Sequence, residues 1–137
     1  MLMKVIYCGF FIDKDELAQC FEPKLARAIE FPHVTTAFRP NGMELFEGML
    51  GEEIHVRVSG YGNDGRNEGV SVILEDGSER ARRVFEQIAM PHITISVAED
   101  GKPVDTAKLN FEVVDNGAVL AAKYGWFCSD GAPRFRI

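Results

Sequence analysis

Two short segments of this sequence share a pattern that is suited to acid–base chemistry. Residues 32–35 read Pro-His-Val-Thr and residues 91–94 read Pro-His-Ile-Thr, so each segment places a histidine two residues before a threonine. Because side chains alternate between the two faces of a β-strand, the histidine and the threonine of each segment are predicted to share one face. Ser96 continues this polar face in the second segment. The opposite face there consists of Ile93, Ile95 and Val97.

Two imidazole groups beside one phosphorus atom could perform both proton transfers of phosphodiester hydrolysis. A water must be deprotonated on one side of phosphorus and an alkoxide protonated on the other, and histidine titrates near the pH at which both are needed. His33 and His92 are therefore predicted to be the acid and the base, in an order that the sequence leaves open. The hydroxyls of Thr35 and Thr94 are predicted to donate hydrogen bonds to the phosphate oxygens as charge develops.

The composition is typical of one globular domain. The chain has 137 residues, of which 46% are hydrophobic and 26% charged, so it can bury a proper core. The net charge of −6 disfavours an extended nucleic-acid-binding track, which requires a basic face. Three cysteines are too few for a disulfide framework or a zinc cluster, and reduced cysteines in a cytoplasmic protein are predicted. The apolar run Val5–Ile12 is far too short to cross a membrane, and no targeting segment is predicted.

The elements that must position the two segments are strands in two related halves of the chain. The second segment begins 59 residues after the first, and a predicted strand and helix precede each of them. Strands are predicted at Met3–Ile12, His33–Phe38, Ile54–Gly60, Gly69–Leu74, His92–Val97, Leu109–Val114, Ala118–Phe127 and Pro133–Ile137. Helices are predicted at Lys14–Phe21 and Glu79–Ile88, after the capping residues Asp13 and Ser78. A helical turn or an irregular segment is predicted at Leu25–Ile29, and a short helical turn within Met43–Met49.

The paired His-x-Thr segments resemble the two-histidine phosphoesterase superfamily, which includes RNA 2′,3′-cyclic phosphodiesterases. The resemblance is closest to the small RNA-repair-like members, and three further stretches add to it: Tyr7–Asp13, Val58–Gly62 and Lys102–Thr106. It implies an α+β fold over residues 1–137, a single bilobal domain with two antiparallel sheets related by a pseudo-twofold, about one helix per lobe and a central cleft. It also implies the same roles for the two histidines and the two threonines, with no metal and no cofactor. The implied partner is a cyclic nucleotide or an RNA end that carries a cyclic phosphate.

Further residues are candidates for substrate contact. Ser96 shares the predicted face of the second segment, and Tyr61, like Tyr124 and Trp126, could stack on a base. Arg39 and Arg134, like Lys123 and Arg136, are candidate phosphate clamps, whereas His55 lacks the motif and is predicted to be an ordinary exposed histidine.

Two other functions are consistent with the same residues. The first is a non-catalytic module that binds nucleotides or RNA ends without turnover. The second is a metal site built from both histidines and a carboxylate, although the hydroxyls beside the histidines are poor zinc ligands.

Overall fold

The computed structural model describes residues 4–114 and 117–136, which form an α+β domain dominated by antiparallel strands. The strands are β1 (Val5–Ile12), β2 (Arg27–Ala28), β3 (His33–Phe38), β4 (Glu53–Asn63), β5 (Asn67–Asp76), β6 (His92–Val97), β7 (Glu112–Val113), β8 (Val119–Cys128) and β9 (Pro133–Arg134). The helices are α1 (Lys14–Cys20) and α2 (Glu79–Glu86), with 3₁₀ segments at Glu47–Met49 and Pro103–Lys108. The predicted α+β class is confirmed.

All of these strands belong to one sheet, whereas two separate sheets are predicted from the sequence. The order is β2-β6-β5-β4-β8-β1-β3, with β7 added to β4 and β9 added to β8. The two halves of the chain are joined at the centre, where Glu53–Arg57 of β4 pair with Val119–Lys123 of β8. Because unpaired strand edges leave backbone donors and acceptors unsatisfied, pairing these two long strands is more favourable than two sheets with free edges.

Each predicted helix begins at its predicted capping residue. The side chain of Asp13 accepts hydrogen bonds from the backbone N–H groups of Asp15 and Glu16, at 2.9 and 3.0 Å. The hydroxyl of Ser78 accepts a hydrogen bond of 3.2 Å from the N–H of Ala81. These side chains satisfy donors that the first turn of a helix leaves without a partner, and so they fix where each helix starts.

The core lies on one face of the sheet, beneath both helices. Alternate residues of the central strands point into it, as do Leu17 of α1 and Val84 and Phe85 of α2. The strand residues of this core include Phe10, Val34, Ile54, Val56, Val58, Val70, Val72, Ile93, Ile95, Leu120 and Tyr124. The histidine and threonine of each motif alternate with core residues and therefore face away from both helices.

Several predicted bounds differ from those in the structure. The predicted strand Leu109–Val114 contains only the two strand residues of β7, after a 3₁₀ segment in which Pro103 occupies the first turn. The segment predicted at Leu25–Ile29 contains the short strand β2 instead of a helical turn. The predicted ends at Met3 and Ile137 and the turn residue Asn116 lie outside the described residues. Within residues 4–114 and 117–136, no helix has the length and apolar character needed to span a bilayer.

Candidate functional site

The two motif strands are held in the same way, each against a strand that carries a glycine. In the β1–β3 pair, Thr35 is opposite Gly9, and in the β5–β6 pair, Thr94 is opposite Gly69. A Cβ atom on Gly9 would lie 2.6 Å from the carbonyl oxygen of Val34, and one on Gly69 would lie 2.7 Å from the carbonyl oxygen of Ile93. Both positions therefore require glycine for the motif strand to approach this closely.

A continuous segment of chain brings the two motif strands together, although they lie near opposite ends of the strand order. Its first part, β2, pairs with β6, and the N–H of Ile29 continues this pairing by donating to the carbonyl of Ile95 at 3.0 Å. A few residues later the carbonyl of Pro32 accepts a hydrogen bond of 2.9 Å from the N–H of Ile12, at the end of β1. The segment thus bridges both ends of the sheet, and Cα atoms of β3 and β6 come within 8 Å of each other.

Both imidazole rings are oriented by the carbonyl group two residues earlier. His33 Nδ1 lies 2.9 Å from the carbonyl oxygen of Phe31, and His92 Nδ1 lies 2.7 Å from that of Met90. A carbonyl oxygen can only accept, so Nδ1 carries the hydrogen in both rings. In the neutral form of each ring, Nε2 then has a free lone pair, which is the arrangement that a general base needs.

The side chains around His33 are aromatic, and they shield its ring from most of the solvent. The ring of Tyr7 is stacked on the imidazole, with centroids 4.4 Å apart, and the ring of Phe11 lies 5.3 Å away. Burial is the main cause that lowers the pKa of His33; the hydrogen bond to Phe31 opposes it, and the nearby charge of His92 adds to it. His33 is therefore predominantly neutral at pH 7. Burial also raises the pKa of Tyr7 to about 12, so this phenol stays protonated.

The hydroxyl of Thr94 belongs to a chain of hydrogen bonds that leads back to a buried amide. Its Oγ1 lies 2.8 Å from Oγ1 of Thr106, a residue with no exposed surface. The amide nitrogen of Asn67 donates to the same Thr106 oxygen at 3.0 Å and to the carbonyl of Lys102 at 2.8 Å. Thr94 is the donor to Thr106 and also lies 3.4 Å from the carbonyl oxygen of Pro103, so its hydroxyl must turn away from these acceptors before it can donate to a ligand. Within the described chain, Thr35 makes no such side-chain hydrogen bond.

A bulge removes Ser96 from the face that carries His92. In the β5–β6 pair, Gly69 is opposite Thr94 but Glu68 is opposite Ser96, so Ile95 is an extra residue and the alternation restarts after it. The Ser96 hydroxyl, which has no exposed surface, donates to the buried carboxylate of Glu68 at 2.7 Å. The prediction that Ser96 shares a face with the motif assumed unbroken alternation. Thr36 is the equivalent extra residue in β3, where Ala37 pairs with Cys8.

The other predicted contact residues each interact with another part of the fold. Tyr61 donates its hydroxyl hydrogen to Glu68, and its ring is stacked on that of Phe21 at 5.8 Å. Arg39 follows the far end of β3, about 20 Å along the strand from His33, where its guanidinium lies 5.4 Å from the Phe38 ring centroid. Arg134 lies on β9, with a guanidinium nitrogen 3.4 Å from the carboxylate of Asp130.

His55 is exposed, as predicted, and lies outside the paired motifs. Its Nδ1 is 2.8 Å from a carboxylate oxygen of Asp76, and this hydrogen bond is the main cause that raises its pKa. In the described part of the chain, no three side chains of His, Cys, Asp or Glu are grouped so that they could hold a metal ion.

Three residues at the site were not predicted from the sequence: Tyr7, Asn67 and Thr106. Tyr7 had a local signal, because it alternates with Gly9 and Phe11 and therefore shares their face of β1. Asn67 had none, and Thr106 is part of the stretch Lys102–Thr106 that adds to the family resemblance but had no role assigned, since contact with Thr94 depends on tertiary folding.

No known protein-family model matches this sequence. A function therefore has to be inferred from the paired motifs and from the geometry around them.

Proposed function

We propose that this chain is a metal-independent phosphodiesterase that hydrolyses a 2′,3′-cyclic phosphate of a nucleotide or an RNA end. The observation that carries the proposal is the equivalent setting of the two imidazoles, each with Nδ1 bound to the carbonyl two residues earlier. Two such rings, on strands whose Cα atoms come within 8 Å of each other, suit a reaction that takes a proton on one side of phosphorus and gives one on the other.

His33 acts as the base and His92 as the acid in this proposal. Nε2 of His33 removes a proton from water as the water oxygen bonds to phosphorus, and the bond from phosphorus to one ribose oxygen breaks. That ribose oxygen takes a proton from Nε2 of His92, which enters the step as the imidazolium and leaves it neutral, so the product is a phosphate monoester with a free hydroxyl. The lowered pKa of His33 supports this assignment, because a base must be neutral before it reacts.

The two threonines hold the non-bridging oxygens in the same scheme. Thr94 is the better ordered of the two, since its hydroxyl is bound to Thr106, which Asn67 holds in turn, and it donates to the phosphate by exchanging this bond. Thr35 has its hydroxyl free of hydrogen bonds to other described residues, so it can donate without breaking one. Preorganised donors of this type typically contribute about 10²–10³ in turnover.

The strand pairing supports membership of the two-histidine phosphoesterase superfamily, with two lobes related by a pseudo-twofold. Strands β3, β1 and β8 correspond to β6, β5 and β4 in the order of the sheet. The correspondence extends to single residues, because Gly9 of β1 pairs with Gly125 of β8 and Gly69 of β5 pairs with Gly62 of β4. Each lobe carries one α-helix.

A product-resolved assay with the four nucleoside 2′,3′-cyclic phosphates in excess chelator tests the proposal. We expect a single phosphomonoester product, with turnover unaffected by the chelator. Binding of these nucleotides by calorimetry without turnover would contradict it and would favour the non-catalytic module instead.

The pH dependence of kcat/KM tests the assignment of His33 as the base. Because the pKa of His33 is lowered and its neutral form is the active one, kcat/KM is expected to fall on the acidic side, with a midpoint below about 6.5, the ordinary value for histidine. The measurement is a profile from pH 4.5 to 9 on one cyclic nucleotide. An acidic limb centred above 6.5 would contradict the assignment, and His55→Ala serves as a control that should leave the profile unchanged.

Replacing Thr106 by valine tests the positioning of Thr94. The change keeps the shape but removes the hydroxyl that orients Thr94, and we expect kcat/KM to fall up to about tenfold, the value of one hydrogen bond. Thr106→Ser should restore activity. Thr36→Val is the matched control, because the buried Thr36 hydroxyl has no hydrogen-bond partner within the described chain. Equal effects of the two valine substitutions would show that Thr106 does not position Thr94.

A further inference from the structure

A cavity of about 490 Å³ opens near His33, where β1 ends and α1 begins. Two of its lining residues are direct neighbours of this histidine: the Phe11 ring centroid lies 5.3 Å from that of the imidazole, and the Phe31 carbonyl binds its Nδ1. His33 and His92 do not line the cavity themselves. Its volume is within the range of about 300–1,000 Å³ that is usual for small-molecule sites. A substrate held at the histidines can therefore place a second part of itself here.

One side of the cavity is built from aromatic rings. Phe11, Phe31 and Phe135 line it, and the rings of Phe11 and Phe135 pack edge to face with centroids 5.8 Å apart. Phe11 is buried, whereas Phe31 and Phe135 are half-buried, so part of these two rings is accessible; accessible aromatic surface stacks on nucleobases, because every base has a flat π face. The wall therefore suits a planar group.

Six of the other ten lining residues of the cavity are charged, with carboxylates in excess. Its charged residues are Asp13, Lys14, Glu16, Glu30, Glu53 and Lys123. The two lysines are already engaged, since Lys14 binds Glu30 at 3.1 Å and the Lys123 ammonium lies 5.7 Å from the Phe135 ring centroid. Carboxylates accept hydrogen bonds and repel phosphate, so the cavity suits a neutral group that offers N–H donors.

We propose that this cavity binds the nucleobase of the substrate and selects bases that carry an exocyclic amino group. The inference rests on the proposed function, in which a nucleotide's cyclic phosphate lies between the histidines. Cytosine and adenine offer N–H₂ donors to the carboxylates, whereas uracil and hypoxanthine place a carbonyl oxygen at the same position. The carboxylates also disfavour a second phosphate in the cavity, which makes a mononucleotide or a terminal nucleotide the fitting ligand.

Filling the cavity tests the binding site. Ala121 lines it from β8, and Ala121→Phe is expected to raise KM for cytidine 2′,3′-cyclic phosphate at least tenfold. The same variant should hydrolyse a 1-O-methyl ribose 2,3-cyclic phosphate, which has no base, as fast as the wild type does. Ala26→Phe is the control, because Ala26 is exposed and does not line the cavity. An equal loss on both substrates, or no change in KM, would overturn the proposal.

A second variant tests the selectivity without adding bulk. Glu53 lines the cavity with its side chain 55% exposed, so Glu53→Gln should fold as the wild type does. We expect wild-type kcat/KM for the cytidine substrate to exceed that for the uridine substrate roughly tenfold, the usual scale of one hydrogen bond to a charged group. Glu53→Gln should reduce that ratio. A wild-type ratio near one would overturn the selectivity.

Calorimetry separates a failure of this inference from a failure of the proposed function. Cytidine 3′-monophosphate and uridine 3′-monophosphate are titrated into wild type and Ala121→Phe, which requires no turnover. Tighter binding of the cytidine compound, lost in Ala121→Phe, would support the base site even if no cyclic phosphate were hydrolysed. Equal binding to both proteins would overturn it even if hydrolysis were observed.

Discussion

Alanine at His33 or at His92 is expected to lower kcat/KM for cyclic phosphate hydrolysis by about 10²–10⁴. In the proposed mechanism, His33→Ala removes the group that takes the proton from water, and His92→Ala removes the group that protonates the leaving oxygen. Because both transfers serve one transition state, the double variant should lose little more than the worse of the two single variants. The measurement is initial rates on cytidine 2′,3′-cyclic phosphate with product identification.

The third histidine provides a matched control for these variants. His55 is exposed on β4 and is bound to Asp76; because its Nε2 also lies 3.8 Å from Glu53 of the cavity, His55→Ala is assayed on the base-free 1-O-methyl ribose 2,3-cyclic phosphate, where it should keep full activity. Thermal unfolding of all three variants should show that they remain folded. If either His33→Ala or His92→Ala retained more than a tenth of the wild-type kcat/KM, the two-histidine mechanism would be wrong.

Replacing Glu68 by alanine is expected to lower the free energy of unfolding by about 3–5 kcal/mol. This carboxylate has no exposed surface and accepts hydrogen bonds from the hydroxyls of Tyr61 and Ser96 and from the N–H of Lys24. Alanine leaves the buried Ser96 hydroxyl and two half-buried donors without this acceptor, and it opens a cavity between β4, β5 and β6. Urea unfolding followed by circular dichroism measures the change.

Glu99→Ala is the control, because Glu99 is exposed in the turn after β6 and its loss should change the unfolding free energy by less than about 0.5 kcal/mol. Glu68→Gln should be intermediate, since the amide oxygen still accepts one or two of the bonds. A Glu68→Ala protein as stable as the Glu99→Ala protein would show that this network contributes little.

The predictions that held are those that depend on neighbouring residues. Asp13 and Ser78 cap their helices because a short acceptor side chain and the free N–H groups of the first turn lie within three residues of each other. The strands at His33–Phe38 and His92–Val97 have their predicted bounds, because turn residues follow each run of β-branched side chains.

The predictions that differ depend on contacts between distant parts of the chain. Ser96 does not share the face of His92 because a β-bulge at Ile95 shifts the register between β5 and β6 by one residue. The alternation of polar and apolar residues in the sequence does not reveal such a bulge. Tyr61 and Ser96 both donate to the buried carboxylate of Glu68. The periodicity of the sequence does not predict that Glu68 is buried. One sheet forms instead of two because β4 and β8 pair along their edges by backbone hydrogen bonds and so join the two halves of the chain.

The sequence by itself determined the α+β class, the capped helices and the strand alternation that puts each motif histidine and threonine on one face. These features follow from local periodicity and local hydrogen bonding, which a few adjacent residues specify. Only the tertiary structure decided that the chain through β2 and β3 closes the gap between β6 and β1 and brings the two motifs together. It also decided that Thr106 and Asn67 support Thr94, because strand register and loop packing depend on contacts that local patterns do not encode.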